Sequence, residues 1–172
     1  KALKLLGHQS VRFVDGKQTS PSPIYILSNK NKSVLESEPN NEKKVANKFD
    51  VIPINLNGVI EKSGDIDWWA VKLEAKKDYA IKMVARSLRS PVDGVLEIYN
   101  EKGKVIKKQD DTRGFDPKIN FKSNEAGWYY LRVFDHLRRG GAQFVYALTV
   151  EAKAAKLEKP IKLSFEELIA AY

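Results

Sequence analysis

Apolar residues recur at every second position through much of this chain, and this period constrains the fold more than any other feature. Because successive side chains of a β-strand point to opposite faces, such a period predicts half-buried strands. The apolar positions are Trp69, Val71 and Leu73; Tyr79, Ile81, Met83 and Ala85; Leu96 and Ile98; Tyr129, Leu131 and Val133; and Phe144, Tyr146, Leu148 and Val150.

Turn-forming residues bound these runs, at 63–65, 90–94, 100–103, 110–114, 124–127 and 140–141. Gly, Asn, Asp, Ser and Pro favour turns for reasons of backbone conformation and local hydrogen bonding. No long segment with the 3.6-residue period of a helix lies between the runs. The pattern predicts an all-β fold, an antiparallel β-sandwich of jelly-roll-like form, and argues against a βαβ architecture.

Three regions are predicted along the chain. Residues 1–35 contain two candidate strands, at 10–14 and 24–27, followed by a linker over 28–33, and we interpret them as the end of a preceding β-domain or as an N-terminal hairpin. Residues 36–151 form the sandwich. Residues 152–172 are a tail or the start of another module, with a short helix capped by Ser164.

The composition is that of one ordinary globular domain: 172 residues, 42% hydrophobic and 30% charged. The net charge of +8 comes from lysines scattered among carboxylates, which favours a solvated surface over a nucleic-acid partner. No apolar run approaches the ~20 residues that cross a bilayer, so membrane insertion is not expected. The absence of cysteine excludes disulfides and thiolate zinc sites but leaves the compartment open.

Two short acidic segments about thirty positions apart carry oxygen ligands. The first contributes Glu36, Glu38, Asn40 and Asn41, and the second contributes Asp65 and Asp67. Calcium takes 6–8 oxygen ligands, and two such turns beside a strand would supply several of them. The alternative is structural: the two aspartates build an Asx turn, and the asparagines cap the turn after Pro39.

Catalysis is not expected. The chain has only two histidines, far apart in sequence, and it has no zincin motif, nucleophile elbow or phosphate-binding glycine loop. Asp65 and Asp67 lie two positions apart on a strand-like turn and cannot face each other across a sugar, as a glycosidase pair must.

A possible binding surface follows from the same alternation. If Trp69, Tyr129 and Leu131 point into the core, their neighbours point outward, namely Trp68, Trp128, Tyr130 and Arg132. Exposed aromatic and arginine side chains are typical of binding hot spots, which suggests a surface for a glycan or an extended polypeptide. Alternatively, these rings are covered by the N-terminal strands, the C-terminal tail or a neighbouring domain.

The ordered motifs of residues 36–151 resemble the bacterial pre-peptidase C-terminal domain. The matching residues are Glu38-Pro39-Asn40-Asn41, Asn57-Gly58-Val59-Ile60, Gly64-Asp65-Ile66-Asp67-Trp68-Trp69, Ser90-Pro91-Val92-Asp93, Leu96-Glu97-Ile98-Tyr99, Gly103, Asp110-Asp111, Ala126-Gly127-Trp128-Tyr129-Tyr130-Leu131-Arg132-Val133 and Tyr146-Ala147-Leu148. Two features depart from the usual pattern. Trp69 replaces the common phenylalanine, and the loop at 135–141 is longer and more basic.

The resemblance implies a non-catalytic accessory module of a larger exported bacterial protein, in a secreted, periplasmic or cell-surface setting. Such a module would act as a spacer, targeting or adhesion domain, with neighbouring domains of its own polypeptide as partners. In the related collagen-binding modules of clostridial collagenases, an acidic N-terminal segment and the turn before an aromatic strand hold calcium. Carried onto this chain, the ligand candidates are Glu36, Glu38, Asn40, Asn41, Asp65 and Asp67. Two alternatives remain, an assembly part packed against its neighbours and a module that binds an extracellular polysaccharide or protein polymer.

Overall fold

Short strands make up most of the secondary structure in the computed structural model, which describes residues 7–111 and 114–153. Two single 3-10 turns, Lys43–Val45 and Arg86–Leu88, are the helical elements of these residues. The strands are β1 (Gly7–Val11), β2 (Val14–Asp15), β3 (Gln18–Thr19), β4 (Ile24–Ser28), β5 (Lys32–Leu35), β6 (Asn47–Phe49), β7 (Ile54–Val59), β8 (Asp67–Leu73), β9 (Asp78–Val84), β10 (Gly94–Tyr99), β11 (Val105–Gln109), β12 (Lys118–Lys122), β13 (Gly127–Asp135) and β14 (Val145–Ala152).

Two five-stranded sheets form the sandwich. The first has the order β11-β10-β13-β8-β6 and the second the order β12-β9-β14-β7-β5. The all-β prediction is confirmed. The antiparallel prediction holds for four strands of each sheet, but the last strand of each is parallel: β6 pairs with β8, and β5 pairs with β7. We refer to the two sheets as the first sheet and the second sheet.

The core lies between the facing sides of the two sheets. Trp69, Leu131 and Val133 from the first sheet meet Ile81, Leu148 and Val150 from the second, and all six side chains are fully buried. These are the positions that the two-residue period assigned to the interior, so the predicted alternation is correct.

The N-terminal residues differ from the sequence prediction. The strand expected at 10–14 is instead β1, which pairs with β4, and the polar stretch after it holds the small hairpin β2–β3. The linker expected over 28–33 ends early, because β5 begins at Lys32 and joins the second sheet. Asn29 then fixes this passage by exchanging side-chain hydrogen bonds with Asn55 of β7.

Several strands of the sandwich carry no clear apolar period. β11 is exposed along nearly its whole length, and β6 has only three residues, so their pairing is determined by neighbouring backbone groups and not by their own side chains. Within the described residues, no helix has the length and apolar character needed to span a bilayer. The helix predicted after Ser164 lies outside the described residues.

Candidate metal site and aromatic face

Two connections cross from the second sheet to the first on the same side of the sandwich. One joins β5 to β6 and carries the first acidic segment, and the other joins β7 to β8 and carries the second. Backbone hydrogen bonds fix the first connection at both ends, from the Glu36 N–H to the Asn57 carbonyl (3.0 Å) and from the Trp68 N–H to the Asn40 carbonyl (3.0 Å). The sheets therefore bring together two segments that are distant in sequence.

Three carboxylates meet where these connections run side by side. One oxygen each from Glu36, Glu38 and Asp67 lies within 4.8 Å of the others, and we call these three residues the acidic cluster. Asn40 lies beside them and is fully buried. It donates its backbone N–H to Glu38 (2.7 Å) and its side-chain amide to Glu36 (3.1 Å). Glu36 also accepts the Val59 N–H at 2.6 Å.

Asp65 and Asn41 form a second part of the same site. Asp65 is almost fully buried and accepts one hydrogen bond on each carboxylate oxygen, from the Asn41 amide (3.1 Å) and from the Glu61 N–H (2.7 Å). Both of its oxygens are thus used in holding the turn after β7. All six ligand candidates lie at the site, but the structure separates the clustered carboxylates from a pair that shapes the turn.

A buried hydrogen-bond chain joins the acidic cluster to the core. The Trp69 indole N–H donates to the Tyr146 hydroxyl (2.8 Å), which donates to one carboxylate oxygen of Asp67 (2.6 Å). Tyr146 reaches this position because its ring passes directly over Gly58, where any Cβ would overlap it. Tyr146 was not predicted as a site residue, since its place in the apolar period of β14 indicated only a core residue.

Without a cation, the cluster disfavours ionisation of its own carboxylates. Burial, together with the nearby charges of Glu36 and Asp65, raises the pKa of Asp67 to about 9, although the hydrogen bond from Tyr146 opposes the shift. Burial likewise raises the pKa of Glu36 and of Glu38, and neighbouring carboxylates add to both shifts. The physical cause is the same in each case: burial and neighbouring carboxylates disfavour the ionised form.

Two buried oxygen atoms at the site receive no hydrogen bond from an N–H or O–H group, although a protonated Asp67 would share a hydrogen bond with Glu36. They are Oδ1 of Asn40 and Oδ1 of Asp67, and both residues are fully buried. Unsatisfied buried acceptors are rare in folded proteins and cost about 1–3 kcal/mol each. A hard cation would accept both oxygens as ligands and would neutralise the cluster, so the residues present fit a calcium ion.

The basic loop between β13 and β14 supports the turn after β7. The Arg138 carbonyl accepts from the Gly64 N–H (3.0 Å) and the Ser63 hydroxyl (2.8 Å). Asp135 in turn holds the loop by accepting hydrogen bonds from the Arg139 backbone and guanidinium. Those bonds outweigh the effect of burial and lower the pKa of Asp135.

The predicted aromatic surface lies on the outer side of the first sheet, as the alternation required. Trp68, Trp128 and Arg132 are half-buried there, but Tyr130 is only 8% exposed. The expectation that all three rings are exposed is wrong for Tyr130, because Lys43 lies over its ring at 4.4 Å and Ala46 packs beside it. We call this surface the aromatic face.

These features define a class of protein: a β-sandwich with an acidic cluster at the connections between its two sheets. A structure comparison finds the pre-peptidase C-terminal domain of a Bacillus anthracis collagenase, with a TM-score of 0.52, covering 67% of this chain and 100% of that domain. The fold predicted from the sequence motifs is therefore present. At 17% identity, the similarity concerns the fold alone.

More distant similarities include periplasmic inhibitors of g-type lysozyme. The Aeromonas hydrophila protein has a TM-score of 0.47 at 14% identity, and the alignment covers 73% of this chain and all of that one. The Salmonella Typhimurium protein has a TM-score of 0.40, also at 14% identity, with the same coverage of both chains. No protein-family model matches this sequence, and no curated protein matches it either.

Proposed function

We propose that this chain is a non-catalytic accessory module of a larger exported bacterial protein, and that calcium stabilises it. It would serve as a spacer, targeting or adhesion domain in a secreted, periplasmic or cell-surface setting. The fold shared with a domain of a Bacillus anthracis collagenase supports the accessory role. The single observation that carries the calcium proposal is the acidic cluster with its two unpartnered buried oxygens.

The proposed ligands come from both connections. Glu36, Glu38 and Asp67 would supply carboxylate oxygens, and Asn40 would supply its free amide oxygen. Asn41 and Asp65 would keep the second connection in place through their mutual hydrogen bond. Calcium is favoured over magnesium because it accepts irregular sets of oxygen ligands, whereas magnesium requires near-ideal octahedral geometry.

Binding of calcium would fix the entry to the sandwich. The first acidic segment follows β5 directly, so a cation held there ties the N-terminal strands to the turn before β8. This linkage would set the orientation of whatever precedes the module. It would also stabilise the folded state, because a ligand that binds only the native form shifts the folding equilibrium toward it.

The test is calorimetric titration of the chelator-treated protein with calcium and, separately, with magnesium. We expect saturable binding of one calcium ion and weaker binding of magnesium. Terbium luminescence adds a positional readout, since Trp69 and Tyr146 are linked to Asp67 by hydrogen bonds and would sensitise a lanthanide bound there. Absence of calcium binding at millimolar concentration, with no terbium signal, would refute the proposal.

A second candidate is an assembly part packed permanently against neighbouring domains or subunits. One observation favours it: a groove of about 380 Å³ on the second sheet is lined mainly by apolar side chains, among them Leu35, which is 80% exposed, and Val145, which is 47% exposed. Exposed apolar patches of this kind mark protein contacts. Light scattering across a concentration series distinguishes the candidates, since a module that needs partners would self-associate.

A third candidate is a module that binds a glycan or a collagen-type polymer through the aromatic face. Trp68 and Trp128 remain half-exposed there, and Arg132 lies beside Trp68 with its guanidinium 6.0 Å from the ring. Tyr130 would contribute only by supporting its neighbours, because Lys43 covers it. Binding measured with and without calcium separates this role from a purely structural one.

A further inference from the structure

One end of the aromatic face collects cations around a single ring. Phe134 of β13 has three positive groups near its centroid: Arg132 at 4.6 Å, Arg138 at 5.8 Å and Lys108 at 5.9 Å. Cation–π attraction holds each of these groups against the ring, but the three charges also repel one another. We call Phe134 and these three residues the cation cluster.

Two nearby carboxylates offset only part of this charge. One is Asp110, whose pKa is lowered mainly by the Asp111 backbone N–H and in part by the charge of Lys108. The other is Glu97, which the strands of the first sheet place on this face, and it pairs with Arg132 at 2.9 Å and Lys108 at 3.2 Å. Although burial raises its pKa, hydrogen bonds from Tyr99, Arg132 and Lys108 lower the pKa overall, so Glu97 is ionised and fully engaged. Among the described residues, no carboxylate forms an ion pair with Arg138.

The position of Arg138 is fixed by the fold. Its backbone has a positive φ of 59°, a left-handed conformation that is uncommon for a residue other than glycine. Its carbonyl is anchored to Gly64 and Ser63 of the turn after β7. The exposed guanidinium therefore lies over Phe134 on a loop whose backbone is held by hydrogen bonds. This reduces the conformational entropy that Arg138 loses when its guanidinium binds a ligand.

Because excess positive charge is fixed beside half-exposed tryptophans, we propose that the aromatic face binds an acidic polysaccharide. A carboxylate or sulfate group would be held by Lys108 and Arg138, since guanidinium and ammonium groups form strong charge-assisted hydrogen bonds with such anions. The sugar rings would lie along Trp68 and toward Trp128, whose flat apolar surfaces carry a polar edge. This proposal deepens the third candidate function and does not depend on calcium.

A single-stranded nucleic acid fits the face less well. Proteins bind such strands by stacking successive bases on exposed aromatic rings. Here Trp68, Trp128 and Phe134 are half-buried in the outer side of the sheet, so a base could contact only part of each ring and could not be inserted between two of them. A polysaccharide chain lying flat across the surface needs no such insertion.

The test compares immobilised hyaluronan, dextran sulfate and neutral dextran by surface plasmon resonance, with calcium present throughout. Hyaluronan reports carboxylate recognition and dextran sulfate reports sulfate recognition. We expect the protein to bind at least one acidic polymer and not dextran. The double variant Lys108→Gln/Arg138→Gln is expected to lose about tenfold or more in affinity. The charge-matched control Lys32→Gln/Lys122→Gln, on the second sheet, is expected to retain affinity within about twofold.

Several outcomes would overturn the proposal. They are equal affinity for neutral dextran, equal losses in both double variants, and no loss in the Lys108/Arg138 variant. Equal or tighter binding of single-stranded DNA would show that the aromatic face binds polyanions in general and is not specific for acidic polysaccharides. Both substituted residues are exposed, and a thermal melt of each variant confirms that any loss is not caused by unfolding. Failure of calcium binding would leave this result unaffected, which separates the two proposals.

Discussion

Replacing Asp67 by asparagine should stabilise the protein in the absence of calcium and should remove most of the stabilisation that calcium gives the wild type. The carboxylate is fully buried, lies within 4.8 Å of two others, and has one oxygen without a partner. Without a cation this arrangement is unfavourable, so an uncharged isostere should stabilise the protein. With calcium bound, the same change removes a charged ligand, so the variant should gain much less stability from calcium than the wild type does.

The magnitude follows from the shifted pKa. Asp67 titrates near 3.8 when unfolded and at about 9 in the metal-free folded protein, so at pH 7 folding requires uptake of a proton. At about 1.4 kcal/mol per pH unit, this costs up to about 4 kcal/mol, and Asp67→Asn removes that cost. Calcium at a hundred times its dissociation constant would add about 2.7 kcal/mol to the wild type, a rise in Tm of roughly 5–10 °C.

The direction in which stability changes with pH provides an independent test of the raised pKa of Asp67. A group whose pKa is raised on folding stabilises the protein below its unfolded pKa, and this contribution is lost as the pH rises through the folded value. The chelated wild type should therefore lose stability between pH 6 and pH 8, whereas chelated Asp67→Asn should not. Calcium should remove most of this slope, because the cation replaces the proton.

The assay is thermal and urea unfolding of wild type, Asp67→Asn and the control Asp50→Asn, each with chelator and with calcium. Asp50 is exposed and lies outside the acidic cluster, so its variant should follow the wild type in both conditions. The reasoning is refuted if Asp67→Asn is the less stable protein in chelator and calcium leaves the wild-type Tm unchanged. That result would make Asp67 a structural acceptor for Tyr146 and nothing more.

Three further predictions concern packing and charge. Gly58→Ala should lower stability by about 1–3 kcal/mol and weaken calcium binding, because the new Cβ would displace the Tyr146 ring; urea unfolding and calorimetry measure both. Gly140→Ala should destabilise the loop before β14, where a Cβ would overlap the Lys62 carbonyl, and hydrogen exchange of the loop amides reports it. Ionised Glu97 should stabilise the folded protein above pH 4.5, and this stabilisation should disappear as the pH falls through the lowered folded pKa of Glu97. The difference in unfolding free energy between the wild type and Glu97→Gln across this pH range measures it.

The sandwich could be predicted because its central strands bury one face. In β8, β9, β13 and β14 the burial of every second side chain leaves a period in the sequence that no other structure explains. The edge strand β5 could not be found in this way. It pairs with β7 through backbone groups and exposes most of its side chains, so its sequence resembles a linker.

The metal site was predictable in its residues but not in their roles. Two acidic segments could be identified from composition, yet the sequence does not show which carboxylates face each other. Only the crossing of both connections on one side of the sandwich separates the acidic cluster from the Asp65–Asn41 pair. Tyr146 could not be predicted for a related reason. A tyrosine in an apolar period gives the same sequence pattern whether or not its hydroxyl donates a hydrogen bond to a carboxylate.

The turn after β7 links the two proposed sites, but it does so through different atoms. Asp65 accepts from Asn41 on the side of the acidic cluster, while Ser63 and Gly64 donate to the Arg138 carbonyl on the other side. The bonds to Arg138 involve a hydroxyl and a backbone amide, neither of which titrates or binds calcium. Arg138 is therefore held whether or not a cation is present, and any effect of calcium on polysaccharide binding must act through the rigidity of this turn and not through a shared ligand.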